Sequence, residues 1–99
     1  MIMANNPTAA QKRFWGKVFE VGCIPCHLEG KFSFPEIHHV KKHGRRDHSL
    51  VYGCCPAHHR PTAGVTGVMN RHGNPKEFSE KYGTDAELYR KCMELIGEK

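Results

Sequence analysis

The sequence predicts a small α+β domain stapled by metal, and three observations carry that reading. The chain is only 99 residues long, which limits the core it can bury. Apolar residues recur at helical spacing near both ends, while the middle breaks into short apolar runs of strand character. The middle also concentrates potential metal ligands, in a chain with five cysteines and eight histidines. A metal staple compensates for a lean core in a domain of this size. We expect one domain over residues 1–99. Residues 1–7 form a loose end, 22–73 a metal-binding core and 74–97 two C-terminal helices.

The elements follow in order. Thr8-Ala9-Ala10-Gln11 fits a capping box, and Phe14, Val18 and Val21 make a helical stripe behind it. Gly22 ends that helix. Cys23-Ile24-Pro25-Cys26 follows as a tight knuckle. Phe32 to Phe34 and Glu36 to Val40 read as a strand or hairpin split by Pro35. Lys41 to His48 is a basic loop, and Leu50-Val51-Tyr52 is a second strand running into Gly53 and the cysteines. Pro56 opens a short helix that Gly64 and Gly67 weaken. Asn74-Pro75-Lys76-Glu77 reads as cap, first turn and capping-box acid of a helix to Tyr82. Gly83 stops it. Thr84-Asp85-Ala86-Glu87 opens the last helix, whose stripe is Leu88, Cys92, Leu95 and Ile96, closed by Gly97.

Composition narrows the function. The formal charge is +5 and the isoelectric point about 9.1, a balance that suits a polyanionic partner, usually nucleic acid. No stretch reaches the roughly 18 apolar residues of a membrane span. Met1 to Asn6 lacks the charged and apolar regions of a signal peptide, so a cytoplasmic location with reduced cysteines is expected. An odd cysteine count also disfavours a disulfide framework.

Cys23 and Cys26, with two residues between them, can both point at one zinc ion. A redox pair would want a βαβ context, which is missing. Cys55 and His58 repeat the spacing. Cys54 competes with Cys55, and spacing does not separate them. Cys92 sits on a helical stripe and reads as core. His27 reads as a surface residue. These ligands alone would fill a tetrahedral site, so the further histidines are a surplus.

His38 and His39 are neighbours in a strand, where successive side chains face opposite ways. They suit a division of labour, one on a metal and one facing a substrate as a base. His59 follows His58 by one residue, about 100° around a helix, and can face a second ion. His72, in Asn70-Arg71-His72-Gly73, is a downstream histidine able to complete a three-histidine site.

This pattern resembles the HNH, or His-Me finger, nucleases, built on a ββα-metal unit. More narrowly it resembles the Ref-type recombination-enhancement nucleases of temperate bacteriophages. The resemblance is carried by Cys23-Ile24-Pro25-Cys26, His38-His39, His48, Cys55-Pro56-Ala57-His58-His59, His72, and Phe78 to Thr84 with Glu87-Leu88. It spans roughly residues 22–96. It implies a zinc-stapled HNH core with Cys23, Cys26, Cys55 and His58 on a structural zinc. It implies His38, His59 and His72 on a catalytic metal, with His39 as general base. His48 stands in the middle place where the family has asparagine, with Asp47 as a substitute. The implied cofactor at the catalytic site is Mg²⁺ or Mn²⁺, although imidazole ligands also admit Zn²⁺ or Ni²⁺.

The expected activity is metal-dependent hydrolysis of DNA phosphodiester bonds in a bacterial or phage-infected cell. Lys41, Lys42, Arg45 and Arg46 would track the DNA backbone without reading bases. A RecA filament enters as a partner only through the resemblance. The chain has almost none of the long basic N-terminal arm of some relatives, which leaves RecA dependence open. A non-catalytic, zinc-stapled module binding nucleic acid or a partner is the competing reading. It would explain the charge and the zinc, but not the surplus histidines.

Overall fold

A computed structural model describes residues 6–40, 47–61 and 67–97. The described elements are α1 (Ala9–Val21), α2 (Ile24–Leu28), β1 (Glu36–His39), β2 (Val51–Cys54), α3 (Pro56–His59), α4 (Pro75–Tyr82) and α5 (Asp85–Gly97). It is a small α+β architecture in which β1 and β2 pair as an antiparallel two-stranded sheet.

Helix α1 starts with the expected capping box. Thr8 Oγ1 accepts from the Gln11 amide at 3.1 Å, and Gln11 Oε1 accepts from the Thr8 amide at 2.8 Å. Val18 and Val21 carry its buried face. At the other end Thr84 and Glu87 form the same reciprocal box for α5. The box expected at Asn74 does not form, because the Asn74 side chain makes no cap hydrogen bond. Its carbonyl still accepts from the Phe78 amide at 2.8 Å and starts α4.

The core joins these helices to the sheet. Val18 and Val21 of α1, Ile24 of α2, Val51, Tyr52 and Cys54 of β2, Phe78 of α4, and Leu88 and Cys92 of α5 form one buried cluster. All four residues of β2 are buried, so this strand is the floor of the domain. Cys92 is part of the core, as its helical stripe suggested.

Two expected elements differ. The Cys23–Cys26 segment is not a bare knuckle: Cys23 caps the five-residue helix α2, and its Sγ accepts from the Cys26 amide at 3.4 Å. Pro25 in its first turn is compatible with that helix. Phe32 to Phe34 is not a strand, and β1 covers only Glu36–His39. Ser33 instead spends its carbonyl on the Cys23 amide at 3.1 Å. Strand β2 begins one residue later than expected and runs on through Gly53 to Cys54.

Gly53 explains how β2 continues into the cysteines. A Cβ there would collide with the Gly22 carbonyl and lie 2.8 Å from Pro35 Cβ. The absence of a side chain lets the turn after α1 close against the sheet. Gly16, inside α1, has nothing within 4 Å of its own Cβ position. Gly53→Ala should therefore lower unfolding stability by about 1–3 kcal/mol through overpacking. Gly16→Ala should raise it by about 0.5–1 kcal/mol through helix propensity. Urea denaturation of both variants checks the contrast, and equal effects would contradict the close approach.

Candidate active site

Cys23 and Cys26, from α2 and its cap, meet Cys55 and His58, from α3 and its cap. All four are buried, and their ligand atoms lie within 4.8 Å of one another. His58 Nδ1 is 3.5 Å from Cys23 Sγ, 3.5 Å from Cys26 Sγ and 3.2 Å from Cys55 Sγ. Cys26 and Cys55 are 3.9 Å apart between sulfurs. A tetrahedral ion with Zn–S of about 2.3 Å and Zn–N of about 2.0–2.1 Å puts its sulfurs about 3.8 Å apart and each S–N pair about 3.5 Å apart. The residues thus fit a metal ion such as zinc.

The surroundings favour ligation. Tyr82 Oη donates to Glu29 Oε2 at 2.8 Å, so its oxygen can accept from His58 Nε2 at 3.2 Å. That fixes the His58 proton on Nε2 and turns the Nδ1 lone pair to the sulfurs. Ser33 Oγ donates to Cys26 Sγ at 3.1 Å. Burial pushes the Cys26 thiol up, as expected for a site that needs a cation before it can ionise fully. Cys54 is distinct. Its side chain is in the apolar core, and the neighbouring Cys23 thiol together with burial pushes the Cys54 thiol up and keeps it protonated.

A second cluster lies on the other side of α3. His38 Nδ1 and His72 Nε2 are each 3.1 Å from His59 Nε2. His38 comes from β1 and is buried, while His59 ends α3. His72 is placed by main chain: the Arg71 and His72 amides donate to the His58 and His59 carbonyls at 2.7 and 3.0 Å. Those bonds satisfy the open C-terminal carbonyls of α3.

Two carboxylates set the tautomers of this cluster. His38 Nε2 faces Asp85 Oδ2 at 3.4 Å, and His59 Nδ1 faces Glu36 Oε1 at 2.9 Å. An ionised carboxylate only accepts, so these nitrogens carry the protons. The opposite nitrogens, His38 Nδ1 and His59 Nε2, then confront each other as bare lone pairs. A cation resolves that repulsion, so the donor set fits a bound ion.

Both carboxylates are strongly held. Asp85 also accepts from Tyr52 Oη at 2.8 Å and from Arg71 Nε and Nη2 at 2.8 and 3.2 Å. Burial alone would raise its pKa, but the hydrogen bonds from His38, Arg71 and Tyr52 hold it well below the usual carboxylate range. Glu36 is held at about 2 by the two-pronged Arg60 contact and by His59. Burial pushes the His72 pKa down, which favours its neutral, ligating form.

His39 faces away from His38, as strand alternation requires. Its Nε2 is 3.0 Å from His48 Nδ1. Trp15 of α1 meets both rings edge-on, at centroid distances of 5.7 Å to His39 and 5.4 Å to His48, and its Nε1 donates to the His48 carbonyl at 2.8 Å. A cleft of about 440 Å³ is lined by His38, His39, Arg71, His72, Pro75 and Asp85. Lys41, Lys42, Arg45 and Arg46 lie outside the described residues. His27 is exposed, and Asp47 accepts from the Ser49 amide at 2.8 Å.

Sequence reasoning missed Glu36, Asp85, Arg71 and Trp15. Glu36 had a usable signal, since it lies two residues before His38 and so shares its strand face. Asp85 reads as an ordinary first-turn acid, and only the fold turns it toward His38.

Residues 7–97 match the family described as recombination enhancement, RecA-dependent nuclease. The chain belongs to this family, whose description gives it a nuclease role in recombination. Comparison with curated proteins found no match. Among the described residues no helix is long and apolar enough to cross a membrane.

The separation of Cys54 from Cys55 is testable by metal content. Cys55→Ala should lose the tightly held ion and unfold, because metal-binding energy is folding energy in small sites. Cys54→Ala should keep the parent's metal content and lose only core packing. Native mass spectrometry of both proteins reads this directly, and equal metal loss would contradict the assignment.

Proposed function

We propose that this chain is a metal-dependent DNA endonuclease of the HNH type, acting as one nuclease domain, with β1, β2 and α3 as its ββα-metal unit. The observation that carries this reading is a cleft lined by His38, His39 and His72, of which His38 and His72 converge with His59 as a candidate ligand set. In the proposal Cys23, Cys26, Cys55 and His58 hold a structural zinc that serves folding only.

A divalent ion held by His38, His59 and His72 would supply positive charge to a non-bridging phosphate oxygen and to the leaving oxygen. The rest of the chemistry belongs to the chain. Neutral His39 takes a proton from the attacking water. The imidazolium that results can donate from Nε2 to His48 Nδ1, already 3.0 Å away. His48 therefore serves at the place where the HNH pattern expects asparagine, as the group that orients the base. Trp15 limits the movement of both rings from the α1 side. Asp85 and Glu36 hold His38 and His59 in ligating tautomers. Lys41, Lys42, Arg45 and Arg46 complete the proposal as contacts to the DNA backbone. A RecA filament enters through the family description.

The two neighbouring histidines of β1 separate base from ligand. His39→Ala should keep the fold and both metal sites while cleavage of supercoiled plasmid falls about 10²- to 10⁴-fold. His38→Ala should also stop cleavage, but through weaker metal binding that excess Mg²⁺ or Mn²⁺ partly offsets. A metal titration of both variants decides. Parent-like cleavage by His39→Ala at every concentration would reject the base assignment and favour a non-catalytic binding module.

A further inference from the structure

The cleft contains a permanent cation, the Arg71 guanidinium, paired with Asp85. Arg71 lines the cleft with His38, His39, His72 and Asp85. Its side chain is 22% exposed, so the guanidinium is largely sheltered yet still reaches solvent. Two of its bonds, from Nε and Nη2, go to Asp85. The Tyr52 hydroxyl donates to the same carboxylate at 2.8 Å. A guanidinium carries five N–H donors, so donors remain for a ligand in the cleft.

Its placement is over-determined. The Arg71 amide donates to the His58 carbonyl at 2.7 Å, which ties the residue to the end of α3. The next residue, His72, joins the imidazole cluster. Asp85 grips the guanidinium and His38 at once, so one carboxylate sets both the cation and a candidate ligand. A planar, rigidly held guanidinium is the side chain best matched to phosphate oxygens.

Charge supports the same conclusion. Asp85 balances Arg71, and the three imidazoles are neutral ligands. Any divalent ion at the cluster is thus uncompensated, and the cleft favours an anion with several oxygens.

We propose that Arg71 is a catalytic residue that contacts the scissile phosphate, with Asp85 presenting it beside the three-histidine cluster. The inference rests on the nuclease reading above, and its test includes a measurement that does not depend on cleavage. That measurement is binding of a short DNA duplex over a range of salt without added divalent ion. Arg71→Met should bind more weakly, and its slope of log affinity against log salt should fall by about one counterion. Arg71→Lys should retain the slope but lose the rigid fork. With Mn²⁺ present, both variants should cleave about 10²- to 10³-fold more slowly. Their Mn²⁺ affinity should stay within about threefold of the parent. Asp85→Asn should instead lose about 10- to 100-fold in Mn²⁺ affinity, because it also releases His38.

Circular dichroism confirms that the variants compared are folded, and Arg71→Lys supplies the test should Arg71→Met not fold. An unchanged salt slope in Arg71→Met, or parent-like cleavage by Arg71→Lys, overturns the proposal. So does a loss of cleavage that excess Mn²⁺ fully restores, which would make Arg71 only a support for Asp85. If the parent binds DNA but fails to cleave it with any divalent metal tried, the nuclease reading fails, while the slope still decides whether Arg71 meets phosphate.

Discussion

The meeting of Cys23 and Cys26 with Cys55 and His58 is the constraint on which the rest of the molecule depends. Cys26 and Cys55, one from each half of the set, lie 29 positions apart in the chain. Their convergence pins α2 to α3 and stacks both against β2. Helix α3 is only four residues long and could not persist alone. Held by Cys55 and His58 on one side, it presents His59 on the other. Arg71 and His72 then hang from the carbonyls of that same helix. A site that determines folding and a site suited to chemistry thus share one turn of helix, kept apart by the rotation between adjacent residues.

The two-stranded ladder performs a similar separation. His38 pairs across the sheet with Tyr52, and His39 with Val51. His38 turns toward His59, His72 and Asp85, whereas His39 turns toward His48 and Trp15. The Tyr52 hydroxyl donates to the carboxylate that holds His38, so the floor of the core also steadies the cluster. Burial, and then the charge of Asp85, raise the Tyr52 pKa and keep that donor protonated. The nitrogens that converge in this cluster are consequently specified by residues outside the candidate ligand set.

Much of this was legible in the sequence. The two matching Cys/Cys and Cys/His spacings bring their four residues into one candidate ligand set. The capping residues Thr8 and Thr84 start the helices expected of them. Cys54 and Cys55 were not separable by spacing, because the distinction is one of facing: Cys54 ends β2 inside the core, and Cys55 leaves the strand to cap α3. Phe32 and Phe34 mimic a strand in composition, but a strand also needs a partner for its backbone, and Ser33 bonds to Cys23 instead. Asp85 illustrates the remaining limit. Its link to His38 spans 47 residues, and no local pattern encodes a contact of that range.

The central claim is that two ion sites with different duties flank α3, and replacing His59 alone tests it most directly. Calorimetric titration of His59→Ala with Zn²⁺ and Mn²⁺, beside its near-ultraviolet circular dichroism, makes the measurement. The account predicts a folded protein that retains one tightly held zinc and has lost the weaker second binding event. A variant that unfolds and releases all metal, or that binds both ions like the parent, would contradict it.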